Sequence, residues 1–229
     1  MKFISVSGKN WISKKFDVAD IECLKKDFFL DEITAKLLAI RRIDKKNVKT
    51  FLEPSIKNIM PNPFIMKDME IAVKRLADSI KNNDKIGIFG DYDVDGASST
   101  AILGQYFKHL NLSFEIYIPD RKSEGYGPTI SSFEKLIDKS VKIIFTVDCG
   151  TLSFDPIKYA KKKKIDVIVL DHHQSITSLP EAYAIVNPNR FDDNSNLNYL
   201  CASGVTFMFL VALNKVLRDE SWFEKNSIK

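Results

Sequence analysis

Cysteine is scarce in this chain: Cys23, Cys149 and Cys201 are the only three in 229 residues, an odd number with no Cys-x-x-Cys spacing. That pattern excludes a disulfide framework and a thiolate-held zinc, and a reducing cytoplasm is the expected setting. Long apolar runs are missing too, so nothing here predicts a membrane span. Met1–Ser5 leads into Lys9, Asn10 and Lys14-Lys15 where a secretion signal would have an apolar stretch. A dominant charge is also absent: 34 Lys and Arg against 30 Asp and Glu give +4, which permits a polyanionic partner without requiring one. No internal repeat or low-complexity segment is visible. Apolar residues make up 45% of the chain, enough for one sizeable domain with a small appendage.

What the sequence does have is Gly90-Asp91-Tyr92-Asp93-Val94-Asp95-Gly96. The apolar segment 85–89, bounded by Asn82-Asn83-Asp84 and by Gly90, predicts a buried parallel strand, and Ala97 to Leu110 predicts a helix. Three carboxylates at alternate positions then fall in a strand-to-helix turn, where open α/β sheets place their ligands. They repel one another, and no basic residue in the segment offsets them, so a bound divalent cation is expected. Two plainer readings compete. An EF-hand loop opens with the same spacing, but it needs Glu at its twelfth position, here Ile102, and a helix in front. Helix capping accounts for one carboxylate and leaves two.

Residues 1–80 read as a helical N-terminal extension. Ile33, Leu37, Leu38 and 40–43 share a helical face, Val48, Phe51 and Leu52 continue it to Pro54, and Met69 to Ile80 is amphipathic. From 81 to 229 strands and helices alternate. Strands are predicted at Phe114–Ile118, Val141–Val147, Asp166–Leu170 and Ala184–Val186, and helices at Thr129–Ile137, Phe154–Lys163 and Gly204–Leu217. The expected fold class is α/β, a mostly parallel sheet with helices on both faces. Two of these strands end in metal-type ligands: Asp148 follows Val147, and Asp171-His172-His173 follows Leu170. A parallel sheet puts these ends on the same edge as Asp91, Asp93 and Asp95, and that convergence outweighs the structural reading of a lone His-His pair. Carboxylate and imidazole donors without thiolate favour Mn²⁺ or Mg²⁺.

Asp-Tyr-Asp-Val-Asp-Gly (91–96), Val-Asp-Cys-Gly (147–150) and Asp-His-His (171–173), in that order, resemble the first three motifs of the DHH phosphoesterase superfamily. Ile-Pro-Asp-Arg (118–121), Glu-Gly-Tyr-Gly (124–127), Ile-Val-Asn-Pro (185–188) and Ser-Gly-Val (203–205) resemble its RecJ-type single-strand-specific exonucleases, as do Phe-Leu-Glu-Pro (51–54) and Met-Lys-Asp-Met (66–69). The likeness spans nearly the whole chain, with Arg41-Arg42-Ile43 standing where the family usually has Arg-Gly-Ile.

The resemblance implies a two-metal 5′→3′ exonuclease that hydrolyses single-stranded DNA in recombination and repair, using Mn²⁺ or Mg²⁺. Asp91 and Asp93 would hold one ion, Asp95 and His172 the other, and Asp148 would bridge them. His173 would contact the scissile phosphate, and Asp171 would orient a neighbouring imidazole. On the substrate side, Arg121 would fork onto phosphate and Tyr126 would stack on a base. Asn187 would position a loop, Gly204 would open the last helix as an anion-binding N-terminus, and Ser98 joins them as a candidate. A surface-loop arginine and a turn tyrosine are the plain alternatives for Arg121 and Tyr126.

Single-stranded DNA is the implied partner, with a single-strand-binding protein and a helicase beside it and no membrane. The family's fourth motif, which adds a ligating Asp, and its covering domain fall outside these 229 residues. Asp219 lies too close to the last predicted helix to replace that ligand, so impaired nuclease activity is expected of these residues alone. The competing readings are a DHH-type phosphodiesterase acting on short oligonucleotides or cyclic dinucleotides, and a non-catalytic nucleic-acid-binding scaffold.

Overall fold

The chain opens with a hairpin where the sequence predicted only helix. β1 (Lys2–Ile4) pairs antiparallel with β2 (Asn10–Ile12), because the polar run through Ser7-Gly8 makes a turn closed by Ser5 N–H to Lys9 C=O at 2.8 Å. The computed structural model describes residues 2–227 and separates the chain into two compact units, Met1–Pro61 and Asn62–Lys229. In the first unit, α1 (Val18–Phe28) and α2 (Glu32–Ile40) start at Asp17 and Asp31, whose carboxylates accept the first free helical N–H groups. A 3₁₀ turn at Lys45–Asn47, then α3 (Val48–Leu52) and α4 (Ile56–Ile59), complete it. Its core is small: Ile21, Leu24, Ala35, Leu38 and Val48.

The second unit begins before the boundary expected at residue 80. α5 (Met69–Lys81) buries Met69, Ala72, Val73, Leu76, Ala77 and Ile80 in the same core as the sheet, so it belongs with the sheet and not with an extension. Arg75 on this helix donates from Nε to Asp166 at 2.6 Å and from a terminal nitrogen to Ser79 at 2.6 Å. After α5 come β3 (Ile86–Phe89), α6 (Val94–His109), β4 (Phe114–Tyr117), α7 (Ile130–Ile137), β5 (Ile143–Val147), α8 (Phe154–Lys162), β6 (Asp166–Leu170), β7 (Ala184–Val186), α9 (Ala202–Asp219) and α10 (Trp222–Lys225).

Five strands form one parallel sheet in the order β4-β3-β5-β6-β7. The period of two sorts their side chains. Ile86, Ile88, Ile143, Phe145, Val147, Ile168, Leu170, Ala184 and Val186 face α5, α6 and α9, while Phe89, Ile144, Val167, Val169 and Ile185 face α7 and α8. Both faces are covered, as the near-continuous apolar strands require. Each fully buried Ile, Leu, Val or Phe contributes about 1.5–3 kcal/mol, so the two layers dominate the stability of this unit.

The strand order fixes where chemistry can sit. From β3 the chain goes out to the edge strand β4 and returns to β5 on the other side of β3, so its progress across the sheet reverses between β3 and β5. The crevice outside the carboxyl ends of those two strands is the ligand position of open α/β sheets. The register aligns Phe89 with Thr146, Val147 with Leu170 and Leu170 with Val186, which brings the residues after β3, β5, β6 and β7 to one edge.

Candidate metal centre

Asp91 leaves β3 through Gly90 and is buried at 2% exposure, its Oδ1 accepting the Tyr92 N–H at 2.7 Å. The first turn of α6 packs directly onto it. A Cβ on Gly96 would lie 2.5 Å from Asp91 Cβ and 2.7 Å from its carbonyl oxygen, so only glycine lets the helix approach this closely. Asp93 is the N-cap, with Oδ1 accepting Gly96 N–H at 2.9 Å. The helix therefore begins at Val94, three residues before the expected start, which places Asp95 inside its first turn and not in a loop.

From there Asp95 reaches a second helix. Its Oδ2 accepts Ala202 N–H at 2.7 Å and its Oδ1 accepts Ser203 N–H at 2.8 Å. Cys201, at the N-cap position of α9, makes no side-chain cap bond, so Asp95 takes over that role from more than a hundred residues away. Capping thus accounts for two of the three motif carboxylates, not one.

Asp148 follows β5 with φ 61, in the left-handed region that non-glycine residues avoid, and Gly150 follows at φ 112. A Cβ on Gly150 would sit 2.4 Å from Thr146 Oγ1, so this turn can be closed only by glycine. The outcome is a carboxylate at 1% exposure whose Oδ1 has no hydrogen-bond donor. Burial, with the like charges of Asp95 and Asp93, pushes its pKa up from 3.8 to about 8.

The two histidines after β6 are set differently. His172 Nε2 lies 3.3 Å from Asp148 Oδ1 and 3.6 Å from Asp95 Oδ2. His173 turns its Nδ1 to Asp171 Oδ1 at 2.8 Å, and this partner raises its pKa to about 9. Asp171 is 1% exposed. Burial opposes its charge, but bonds from His173 and the Thr151 N–H at 3.1 Å hold it down at about 2.

A ring of amides fixes the backbone here. Asn187 Nδ2 donates to Thr151 Oγ1 at 2.8 Å and to the His173 carbonyl at 2.9 Å, and Asn189 donates to the His172 carbonyl. Asn187 is fully buried, so it holds the histidines in place and does not face a substrate. Thr151 and Asn189 were missed by the sequence reading. Like the acids, they lie just past strand ends, and that position is the signal that could have found them.

These residues suit a divalent cation. Asp91, Asp93 and Asp148 offer oxygens within 4.8 Å of one another, as do Asp148, His172 and His173 offer their ligand atoms. Asp148 belongs to both groups, and its undonated Oδ1 is the atom a cation would satisfy. His173 cannot ligate through Nδ1 without giving up Asp171, so His172, whose Nε2 approaches both Asp95 and Asp148, is the imidazole on offer.

The remaining candidates scatter around the centre. Arg121 stacks on the Tyr92 ring at 5.3 Å, beside Asp91. Tyr126 donates its hydroxyl to the Asp148 carbonyl at 3.1 Å and turns its ring toward His173, 6.0 Å between centroids, yet keeps 56% of its surface exposed. It lines a cavity of about 560 Å³ with Pro128, Leu152, Phe154 and His173. Ser98 lies in α6, half-buried. Gly204 does not open the last helix: α9 starts at Ala202, and its first N–H groups already serve Asp95, so the expected anion site there is filled by the protein's own carboxylate.

A parallel sheet whose switch point gathers carboxylates and an Asp-His-His turn defines a class. Residues 85–227 match the model of the DHH family, N-terminal domain, and the chain belongs to that family. It is 33% identical to the single-stranded-DNA-specific exonuclease RecJ of Bacillus subtilis (strain 168) over 93% of this chain and 27% of that protein. It is 35% identical to RecJ of Escherichia coli (strain K12) over 77% of this chain and 31% of that one. A crystal structure of exonuclease RecJ bound to manganese superposes with TM-score 0.61 at 29% identity, covering 66% of this chain and 38% of that one. The chain thus spans under a third of the length of these curated relatives. Among the described residues no helix is long and apolar enough to cross a membrane.

Proposed function

We propose that the protein carrying this chain is a metal-dependent exonuclease that removes nucleotides from single-stranded DNA. The observation that carries this reading is Asp148, a buried carboxylate with an undonated oxygen where the ends of β3, β5 and β6 meet. Its support is the likeness to RecJ, named for single-stranded DNA and, in one structure, bound to manganese.

Asp91, Asp93, Asp95, Asp148 and His172 would hold Mn²⁺ or Mg²⁺. Divalent cations in such a set offset the charge of a phosphodiester and lower the pKa of an attacking water. The chain's own residues do the rest. His173, kept protonated by Asp171, presents its other nitrogen as a charged donor to a phosphate oxygen. Arg121 adds a second cationic group, near enough to Asp91 to favour its charged form. The cavity beside His173, walled by Tyr126, Pro128, Leu152 and Phe154, takes an unpaired nucleoside, whose face stacks on aromatic rings whatever the base.

Digestion proceeds 5′→3′ in recombination and repair, in the cytoplasm, with a helicase and a single-strand-binding protein supplying the unpaired strand. The test is incubation with Mn²⁺ and 5′-labelled single strand or blunt duplex. Loss of the single strand first, absent in Asp148→Asn, is expected. Equal cleavage of both, or faster turnover of a cyclic dinucleotide, would overturn the reading.

A further inference from the structure

A second reactive cluster lies in the first unit, far in sequence from the acidic motifs. Cys23 and Asp27 sit one helical turn apart on α1, and Lys45 opens the 3₁₀ turn that follows α2. Lys45 Nζ is 2.6 Å from Cys23 Sγ and 3.0 Å from Asp27 Oδ2, and Cys23 Sγ is 3.5 Å from the same carboxylate oxygen. An N–H···O bond spans ~2.7–3.2 Å, and sulfur is larger than oxygen, so a nitrogen-to-sulfur separation of 2.6 Å is too short for a relaxed hydrogen bond. It is instead the span of two single bonds that meet at one light atom. The thiol is half-buried beside a cation, the surroundings in which cysteines are reactive. No second cysteine lies in residues 1–61, so a disulfide within this unit is not available.

We propose that Cys23 and Lys45 are a modification site, joined on oxidation through a single oxygen as a reversible N–O–S bridge. The oxidant is dioxygen. Asp27 relays the extra proton of the ammonium to solvent. Sulfur and the neutral amine nitrogen then each give up two electrons, one oxygen atom becomes the bridge, and the other leaves as water with the thiol proton and one amine proton. Two molecules of a small dithiol return the electrons, a pair from each, regenerating thiol and amine and releasing the bridging oxygen as water. The bridge ties α1 to the segment after α2 across 22 residues of sequence and holds Cys23 back from irreversible oxidation.

The test is peptide mass spectrometry on the whole chain after exposure to air, with and without dithiothreitol. The expected product is one linked species containing Cys23 and Lys45, heavier than the two peptides by one oxygen less two hydrogens. It should vanish on reduction and be absent in Cys23→Ser. Lys45→Arg keeps the ion pair to Asp27 and hence the fold, and it too should lack the species, while wild type but not Lys45→Arg should gain several degrees in melting temperature on oxidation. Cys23 found only as free thiol, sulfinic acid or an intermolecular disulfide, with Lys45 unmodified, would overturn the proposal.

Discussion

The two strand ends that meet at the switch point treat their carboxylates in opposite ways. On the β3 side, Asp95 is saturated: burial works against its charge, but the Ser203 and Ala202 contacts win and hold its pKa below the ordinary value. On the β5 side, Asp148 is buried more deeply with an undonated oxygen, and its pKa is driven the other way. One acid contributes to folding and the other opposes it. A carboxylate that harms the apo fold and lies next to three other ligand candidates has its best explanation in a cation, whereas Asp95 alone would pass for a structural cap.

The largest effect should come from Asp148→Asn. Saturating Mn²⁺ at a hundred times its dissociation constant should stabilise the wild type by about 2.7 kcal/mol, visible as a rise in melting temperature. Asp148→Asn should lose that rise, and in chelator at pH 9 its apo form should melt above wild type, because a buried unpaired charge has gone. An Asp148→Asn protein that melts lower without metal and still responds to Mn²⁺ would erase the distinction between the two acids.

Asp95→Ala should move apo stability in the opposite direction. Removing a helix cap costs ~1 kcal/mol, or roughly 2–4 °C for a chain of this size, and Mn²⁺ binding should weaken as well. Asp95→Asn, which keeps an acceptor, should fall between the two. Thermal melts in chelator check the sign: if Asp95→Ala raises the melting temperature, the bonds to α9 are not holding that helix.

The acids should also separate by pH. Asp148 has its native pKa raised from 3.8 to about 8, so the native state binds the extra proton and apo stability falls as pH rises across that window. His173, raised from 6.5 to about 9 chiefly by its bond to Asp171, also adds stability that is lost as pH climbs through its own window. Asp95, lowered, adds stability that is lost only as pH falls through its native pKa, below 3.8. Urea midpoints in chelator should therefore decline from about pH 4 to pH 9 in wild type, and less steeply below about pH 6.5 in Asp148→Asn, where burial of Asp91, also raised above 3.8, leaves a smaller decline. Identical slopes in the two proteins would mean that Asp148 titrates normally.

Much of this was legible in the sequence, and the limits are physical. β6 and β7 have the bounds predicted from their apolar runs, since strand period is local in origin, and Asp91, Asp148 and Asp171-His172-His173 share the edge predicted for them, since alternating strands and helices imply a parallel sheet. The hairpin at the start escaped because three-residue strands carry too little pattern. The start of α9 escaped because Asp95 caps it by bonds spanning 107 and 108 residues, which no propensity reports, whereas α6 starts early because Asp93 caps it locally through Gly96 N–H. Asn187 looked like a loop residue at the crevice and is instead buried beneath it, because its partners, Thr151 and the His173 carbonyl, come from two other strand ends.

The smallest effect on stability concerns Tyr126, which joins the Asp148 side of the comparison to the outside. Its hydroxyl bond to the Asp148 carbonyl is neutral and worth about 0.5–1.5 kcal/mol net, and the ring beyond it is more than half exposed. If Asp148 is held chiefly by its own backbone, with φ 61 set by the Gly150 turn and its N–H bonded to Leu170, then Tyr126→Phe should lower stability by no more than about 1 kcal/mol and leave Mn²⁺ affinity unchanged. Tyr126→Ala should likewise bind Mn²⁺ normally, but it removes the stacking face of the cavity beside His173. Binding of single-stranded oligonucleotide should then weaken by ~1–3 kcal/mol in Tyr126→Ala and hardly at all in Tyr126→Phe. Calorimetry with Mn²⁺ and fluorescence anisotropy with a labelled oligonucleotide separate the two roles. Loss of Mn²⁺ affinity in Tyr126→Phe would make the hydroxyl part of what aims Asp148, and the contrast between a carboxylate fixed by its partners and one fixed by its own turn would have to be redrawn.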